Sequence, residues 1–371
     1  MKIPKLRVTY TAPGGSPVTI PEVFAVATNY GIDAIKDTFQ FSYIDKENTY
    51  SIDVNGRVKI YLYYLGETET LVMDGLVTEV INYGQEKRNT FIVKGNNILE
   101  ILLNHQVRAD YVTTSASGII HNLILSANDG QPSDRQITWY TGNDSTSYLV
   151  NYFSTFRPVF QHIESVSTDQ YTGNGPYIFY LDSSNNFHWH ARPSAIAGTI
   201  DYGTGTLSMQ RTKNPDDIVN FMIVNAGKDL SGNSIHTYAV NPTSVGQLGW
   251  RTAYEVREDY ANYGRMLYST SSLYLTDGSQ VTSNTQFRQF IKESAEVATA
   301  DLLERQADGR NKMQIQIPGS NALSIGQQYQ ITFPHAGWPS TAPYNLRLTE
   351  YSHNFDKGGW ITELSLQEDI K

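Results

Sequence analysis

Hydrophobic and polar positions alternate most regularly between Arg57 and Asn104. Val58, Ile60, Leu62 and Tyr64 interleave with Lys59, Tyr61, Tyr63 and Leu65, a period of two in β-branched and aromatic residues that predicts a strand. The polar turn Gly66–Thr70 leads to a return strand, Leu71–Ile81. Its central Asp74-Gly75 marks a bulge or a close backbone approach, because a glycine inside a strand pattern contributes no packing of its own. After a second polar turn, Tyr83–Asn89, Thr90–Lys94 predicts a third strand. Gly95-Asn96-Asn97 then hands the chain to a helix in which Ile98, Leu99, Ile101, Leu102 and Leu103 are apolar almost all round, so it must be covered on most sides.

Ahead of this stretch, Leu6–Thr11 predicts a first strand. The turn Pro13–Pro17 and an apolar segment over Val18–Val26 follow, and Phe39, Phe41 and Tyr43 alternate with Gln40 and Ser42. Five or six strands in about a hundred residues are enough to close a small barrel, which removes exposed sheet edges. Residues 1–105 therefore read as one β-barrel domain.

Residues 106–172 read as a small mixed domain. Ser115-Ala116-Ser117-Gly118 precedes Ile119, Ile120, Leu123 and Ile124, a capped helix that Asn128–Pro132 ends. Tyr148–Phe153 and Val159–Val166 predict a further helical pair broken by Pro158. Strands return in 173–284. Tyr177, Phe179 and Leu181 face one way, Asp182–Asn186 turns, and Phe187, Trp189 and Ala191 come back as a hairpin; further on, Asn214–Asn220 leads into Phe221–Gly227. In 285–310, Phe287, Ile291, Ala295, Ala298 and Leu302 share one face of a long helix, with Asn284 or Thr285 as its cap and Gly309 closing it. The segment 311–371 holds strands at Met313–Ile317, Tyr329–Phe333, Tyr344–Tyr351 and Trp360–Leu366.

Three stretches carry a resemblance. They are the φ-φ-DG-φ-V-T-E-V strand with its K-G-N-N sequel (φ being apolar), the D-φ-V-N-φ-φ-φ-V-x-x-G run ending at Gly227, and the I-P-G … L-x-x-G-Q … L-R-L-x-x-Y … G-G-W-x-T-x-L-S-L order from Ile317 to Leu366. Their order resembles the baseplate and tail hub proteins of tailed phages, the late control protein D family, and the hub-like front part of type VI secretion spike proteins. The resemblance covers nearly the whole chain, more loosely over 106–172 and 228–284. It implies a mainly β fold with α+β insertions, in which two similar small antiparallel β-barrels, tail-tube-like, are joined by mixed α/β segments. The closing strands would pair with strands of 173–284 to complete the second barrel. It further implies a homotrimer whose six barrels meet a hexameric tail tube protein above, with a central spike protein below and other baseplate proteins around it. Such a protein would be assembled in the host cytoplasm and sit in the baseplate of the virion tail. Because the chain stops after the second barrel, piercing and wall cleavage are expected to belong to separate chains.

Composition agrees with a β-rich protein of two to four compact units: 371 residues, 12% aromatic with 25 Tyr, 28 Gly, and only 18% charged. The net charge of -9 argues against nucleic-acid binding, which needs clustered Lys and Arg. With no cysteine, disulfides, thiolate chemistry and Cys-bound zinc are excluded. The N-terminus lacks an apolar export core, and no window of 18 apolar residues occurs, so neither an export signal nor a membrane segment is expected.

Candidate chemistry is sparse, and no cofactor, metal or catalytic residue is expected. His188 and His190 share one strand face within reach of a common metal. A third ligand at a recognisable spacing is missing, so they read as polar residues on the outer face of the hairpin. His105, His121, His162, His236, His335 and His353 are scattered. Glu164, Asp169, Asp182 and Asp201 are the carboxylates a glycosidase pair would draw on, yet turn-rich polar segments carry solvated carboxylates by default. Gly14-Gly15-Ser16-Pro17 does not build a nucleophile elbow, Gly203-Thr204-Gly205-Thr206 lacks the third glycine of a dinucleotide site, and no phosphate-binding loop appears. Surface Tyr and Trp leave one alternative, a carbohydrate-binding tail adhesin or a glycosidase on β-domains, although packing takes most of the aromatic content.

Overall fold

The structure is a computed structural model that describes residues 2–32, 37–47, 49–85, 88–147, 149–168, 177–201, 205–213, 218–270, 272–307, 311–332 and 344–368. Seven strands open the chain: β1 (Pro4–Thr11), β2 (Pro17–Ile20), β3 (Val23–Gly31), β4 (Thr38–Ile44), β5 (Arg57–Tyr64), β6 (Thr70–Gln85) and β7 (Arg88–Asn97). The apolar run Val18–Val26 is thus two strands, divided at Pro21 and Glu22, where Glu22 adopts a φ of 50°. The arms of the β6–β7 hairpin are longer than the polar turn predicts, and β7 continues through Asn97. A five-residue helix, α1 (Glu100–Asn104), follows. Val8, Val58, Ile60, Leu62, Phe41, Tyr43 and Met73 form the buried side of these strands, as the period of two requires.

The Asp74-Gly75 pair has a defined job. Asp74, 3% exposed, takes Arg57 Nε at 2.7 Å and Nη2 at 2.6 Å on its two oxygens, a bidentate pair that satisfies a buried carboxylate. At Gly75 a Cβ would lie 2.3 Å from the carbonyl oxygen of Asn96 on β7, so only glycine admits this closeness. Bulges flank the pair at Val72, against β5, and at Thr78, against β7.

A middle unit is built from β8 (Gln106–Ser115), α2 (Ala116–Asn128), a short 3-10 turn (Ser133–Arg135), β9 (Thr138–Trp139), β10 (Leu149–Pro158), α3 (Val159–Thr168), β11 (Tyr177–Leu181) and β12 (Asn186–Ala191). Ser115 caps α2 by accepting from Gly118 N at 3.1 Å. Leu149–Phe153, expected as helix, is strand: its aromatic and β-branched residues pair antiparallel with β8, a tertiary partner that local pattern does not reveal. The hairpin β11–β12, whose second strand also pairs with β9, packs on α1, α2 and α3 in one core with Trp189, Phe179 and Phe187. Each of these aromatic burials contributes roughly 1.5–3 kcal/mol.

The strands of 173–284 are shared among three sheets. Besides β11–β12, there are β13 (Ile196–Asp201) and β14 (Ser208–Lys213), which join the last segment, and β15 (Phe221–Lys228), β16 (Ser234–Val240) and β17 (Thr252–Val256), a separate sheet in the order β16-β15-β17. With α4 (Pro242–Leu248) and α5 (Asp259–Thr270), this leads to α6 (Asn284–Ala307), the long helix predicted from its apolar face. Phe287, Ile291 and Ala295 are fully buried on α6; the side chain of Ala298 and the closing Gly309 lie outside the described residues. The cap falls one residue before the expected pair: Gln286 N lies 3.3 Å from Ser283 Oγ, Gln286 Oε1 reaches back to Thr282 N and Ser283 Oγ at 3.0 Å, and Asn284 Oδ1 instead accepts from Leu230 N.

Strands β18 (Asn311–Pro318), β19 (Gln328–Thr332), β20 (Tyr344–Asp356) and β21 (Gly359–Glu368) end the described chain. As expected, β18 pairs with β14 and β19 with β13. The architecture is mainly β and mostly antiparallel; among the described residues no closed barrel is detected, and the strands of both expected barrels follow one path, β14-β18-β21-β20-β3-β4-β7-β6-β5-β1-β2, with β13 and β19 branching at β20. The join is the antiparallel ladder of β20 on β3, Glu350–Phe355 against Val26–Gly31. Sequence periodicity assigns a strand its faces but not its neighbour, so this pairing was not visible beforehand. Each half keeps its own core, one under β1 to β7 and one containing Ile200, Met313, Ile315, Ile331, Leu348, Leu364 and Leu366.

Candidate functional site

Three features of the surface follow from this topology. The first is the outer face of the large sheet. Across seven strands the register aligns Ser208, Gln316, Glu363, Ser352, Asn29, Thr38 and Asn96 in one row. Ser208 Oγ donates to Gln316 Oε1 at 2.9 Å, and Gln316 Nε2 to Glu363 Oε1 at 2.7 Å. The adjacent row, Asn354, Ala27, Gln40, Lys94 and Glu79, ends in a Lys94–Glu79 pair at 2.8 Å. Hydroxyls and amides dominate, so the face is wetted and carries little that would hold an apolar or a strongly charged passenger.

The second feature is the opposite kind of face. On the β16-β15-β17 sheet, Met222, Val224, Ile235 and Thr237 turn inward toward α6, where Thr237 Oγ1 lies 2.5 Å from Thr299 Oγ1. The other side presents three registered rows: Val240, Phe221, Thr252; Tyr238, Ile223, Tyr254; and His236, Asn225, Val256. Trp250 stands edge-on to Phe221 at 5.3 Å and is 67% exposed; Tyr238 is 60% exposed and Tyr254 56%. Asn220, fully buried, holds the excursion that delivers Trp250: its Nδ2 donates to Gly249 O at 2.7 Å and its Oδ1 accepts from Arg251 N at 2.7 Å. This is the Asn of the D-φ-V-N run; the Asp preceding it lies outside the described residues.

The third is a cavity of about 320 Å³ where the two halves of the sheet and the β11–β12 hairpin meet. Asp37, 2% exposed, accepts from Gly31 N at 3.0 Å and Asn97 Nδ2 at 2.5 Å; burial, only partly offset by the Gly31 bond, raises its carboxyl to about 7. Tyr30 and Tyr351 stack with ring centroids 4.7 Å apart, and burial pushes both hydroxyls up. His353 Nδ1 lies 3.0 Å from Thr362 Oγ1 and 3.3 Å from Trp360 Nε1, and burial lowers the ring to about 4. The seam is also stitched by Tyr64 Oη to Gly319 O at 3.0 Å and Asn321 Nδ2 to Leu62 O at 2.9 Å.

The residues singled out in the sequence are dispersed. His188 lies between the Tyr140 and Tyr180 rings, its Nε2 3.1 Å from Asp182 Oδ2, while His190 Nδ1 is 2.9 Å from Ala191 O. Burial pushes Asp182 up, but its bonds with His188, Asn186 and Ser184 outweigh this and bring it down to about 2. Glu164 is exposed on α3, Asp201 bonds Thr332 Oγ1 at the end of β13, and Asp169 lies outside the described residues, so Glu164, Asp182 and Asp201 sit on separate elements. Among the described residues no group of three or more His, Cys, Asp or Glu side chains is placed to hold a metal ion. Of the scattered histidines, His162 proves structural: fully buried, it lies 3.0 Å from Tyr152 Oη and 3.0 Å from Val107 O, and burial lowers its pKa. His105 is 3.3 Å from Ser126 Oγ, His121 stacks on Trp139, His236 stands in the apolar sheet face, and His335 is outside the described residues. Sequence reading missed Asp37, for which burial was the only signal, and burial is not local; Asn220 was read only as part of the D-φ-V-N run, without a role. No described helix is long and apolar enough to cross a membrane.

No protein-family model matches the chain, and no curated protein sequence does. Solved structures do. The 43 kDa tail protein of prophage MuSo2 from Shewanella oneidensis matches with a TM-score of 0.63 at 10% identity, over 98% of this chain and 98% of that one. A tail protein from Neisseria meningitidis MC58 matches with a TM-score of 0.62 at 11% identity, over 98% and 97%. A chain of the Francisella PdpA-VgrG complex matches with a TM-score of 0.53 at 6% identity, over 99% of this chain and 58% of that one. Over almost its whole length, therefore, the chain has the fold of these phage tail proteins, one that a chain of the Francisella PdpA-VgrG complex shares.

Proposed function

We propose that the protein is a non-enzymatic structural hub at the centre of a phage tail or of a phage-derived contractile injection device. In this reading a homotrimer joins the hexameric tail tube to the central spike. The observation that carries it is the β20–β3 ladder, which sets the two ends of the chain side by side in one sheet, each with its own core. Residues 1–105 and the segment 311–371, with β13 and β14, are then two tube-like barrel units. Three copies supply six such units, which matches sixfold symmetry above without breaking threefold closure below. The polar rows, running across both units, would line the ring on its axis side. Its partners are tail tube protein, spike protein and surrounding baseplate proteins, and its place is the baseplate of the virion tail after assembly in the host cytoplasm.

Light scattering across a range of concentrations, followed by averaged electron micrographs, tests this. A trimer forming a ring with six peripheral densities is expected. A monomer at every concentration, with specific retention on a host polysaccharide, would overturn it in favour of the adhesin, and glycan turnover lost on neutralising a carboxylate pair would favour the glycosidase.

A further inference from the structure

We propose that the uncharged outer face of the β16-β15-β17 sheet is the surface through which one copy of this chain packs on the next; the inference rests on the trimeric-hub reading. None of the nine registered outward positions, nor Trp250 beside them, is Asp, Glu, Lys or Arg, in a chain with 65 such residues and a net charge of -9. Two copies of so acidic a chain repel over most of their surfaces, and this face removes that obstacle. A strongly charged partner would be met by counter-charges, and the face offers none. Its composition, aromatic and depleted of charge, is that of the core of a permanent homo-oligomer contact.

The size agrees. Aromatic side chains present about 150–250 Å² each. At 67% exposure for Trp250, 60% for Tyr238, 56% for Tyr254, 54% for Val256 and 48% for Val240, the patch amounts to several hundred square ångströms. That is at the upper end of what a monomer leaves open, about 300–600 Å². It is also more than half of the roughly 800 Å² that each partner contributes to a stable interface. The sheet is held by α5 and α6 from behind and shares no strand with the large sheet, so contact here leaves the polar rows free.

The test uses the full chain. Light scattering compares the parent, the double variant Trp250→Glu/Tyr254→Glu, and the control Phe156→Glu, which alters a side chain 71% exposed on β10. A trimeric parent and control, with a double variant monomeric at the same concentration and melting within a degree or two of the control, is the expected result. A double variant as trimeric as the parent would overturn the face assignment and leave the hub reading standing. A parent that is monomeric at every concentration would overturn both. The absence of cysteine allows a second readout: Trp250→Cys, the sole thiol, should react with a maleimide at least tenfold more slowly in the trimer than in the urea-unfolded chain, and equal rates would refute the contact.

Discussion

Asp37 and His353 line one cavity and titrate in opposite senses, so replacing either one should expose the other in the pH dependence of stability. Asp37 is 2% exposed and raised from 3.8 to about 7. Between those values the folded chain holds a proton that the unfolded chain has lost. Stability therefore falls as pH rises, by about 1.4 kcal/mol per pH unit and about 4 kcal/mol in all by pH 7. His353, also 2% exposed, is lowered from 6.5 to about 4. Here the unfolded chain takes the proton first, so stability falls as pH drops from 6.5 to 4, by about 3 kcal/mol. Over pH 4 to 6.5 the two slopes oppose and largely cancel; from 6.5 to 7 Asp37 acts alone. Asp37→Asn removes one of them. Relative to the parent its stability should rise by about 4 kcal/mol between pH 4 and pH 7. His353→Gln should do the reverse, falling against the parent by about 3 kcal/mol between pH 4 and 6.5. The amide introduced by Asp37→Asn faces Asn97 Nδ2, which donates to the native carboxyl at 2.5 Å, and that cost is the same at every pH. The slope, not the offset, carries the information, and His162 contributes equally to parent and variant. Urea unfolding followed by tryptophan fluorescence at half-unit steps from pH 4 to 8 measures it. A flat difference curve for Asp37→Asn would refute a buried, neutral carboxyl at this seam.

Two further substitutions probe the architecture. Ser283→Ala should destabilise the chain by about 1 kcal/mol through loss of the α6 capping box, whereas Thr285→Ala should cost less than about 0.5 kcal/mol; equal losses in thermal melts would mean that the helix is capped elsewhere. Gly319→Ala would put a Cβ 1.9 Å from Trp360 Cδ2 and should cost about 1–3 kcal/mol with a change in tryptophan emission, while an unaltered melt and spectrum would show that the I-P-G turn does not pack under the indole.

What the sequence determined by itself is what depends on near neighbours. The alternation at Val58–Tyr64, the Ser115 cap, the Asp182–Asn186 hairpin and the apolar stripe of Phe287, Ile291 and Ala295 all appear as read, because period, capping and turn chemistry act within a few residues. The order of the three motifs also pointed to the mainly β fold, although Asp74-Gly75, Asn220 and Gly319 each meet a steric or hydrogen-bonding demand set by residues on other segments. The tertiary structure alone decided the rest. Leu149–Phe153 is strand because β8 lies beside it. The hairpin at Tyr177–Ala191 belongs with α1, α2 and α3 because their apolar faces need covering. Two expected barrels are joined in one sheet because β20 finds β3, more than 300 residues away in sequence. Likewise His188 and His190 shared a strand face, yet their hydrogen bonds are settled by Asp182 and the Ala191 carbonyl. The polar rows, the uncharged aromatic face and the Asp37–His353 cavity all arise from strand neighbours and burial, which are properties of contacts distant along the chain, and periodicity carries no record of them.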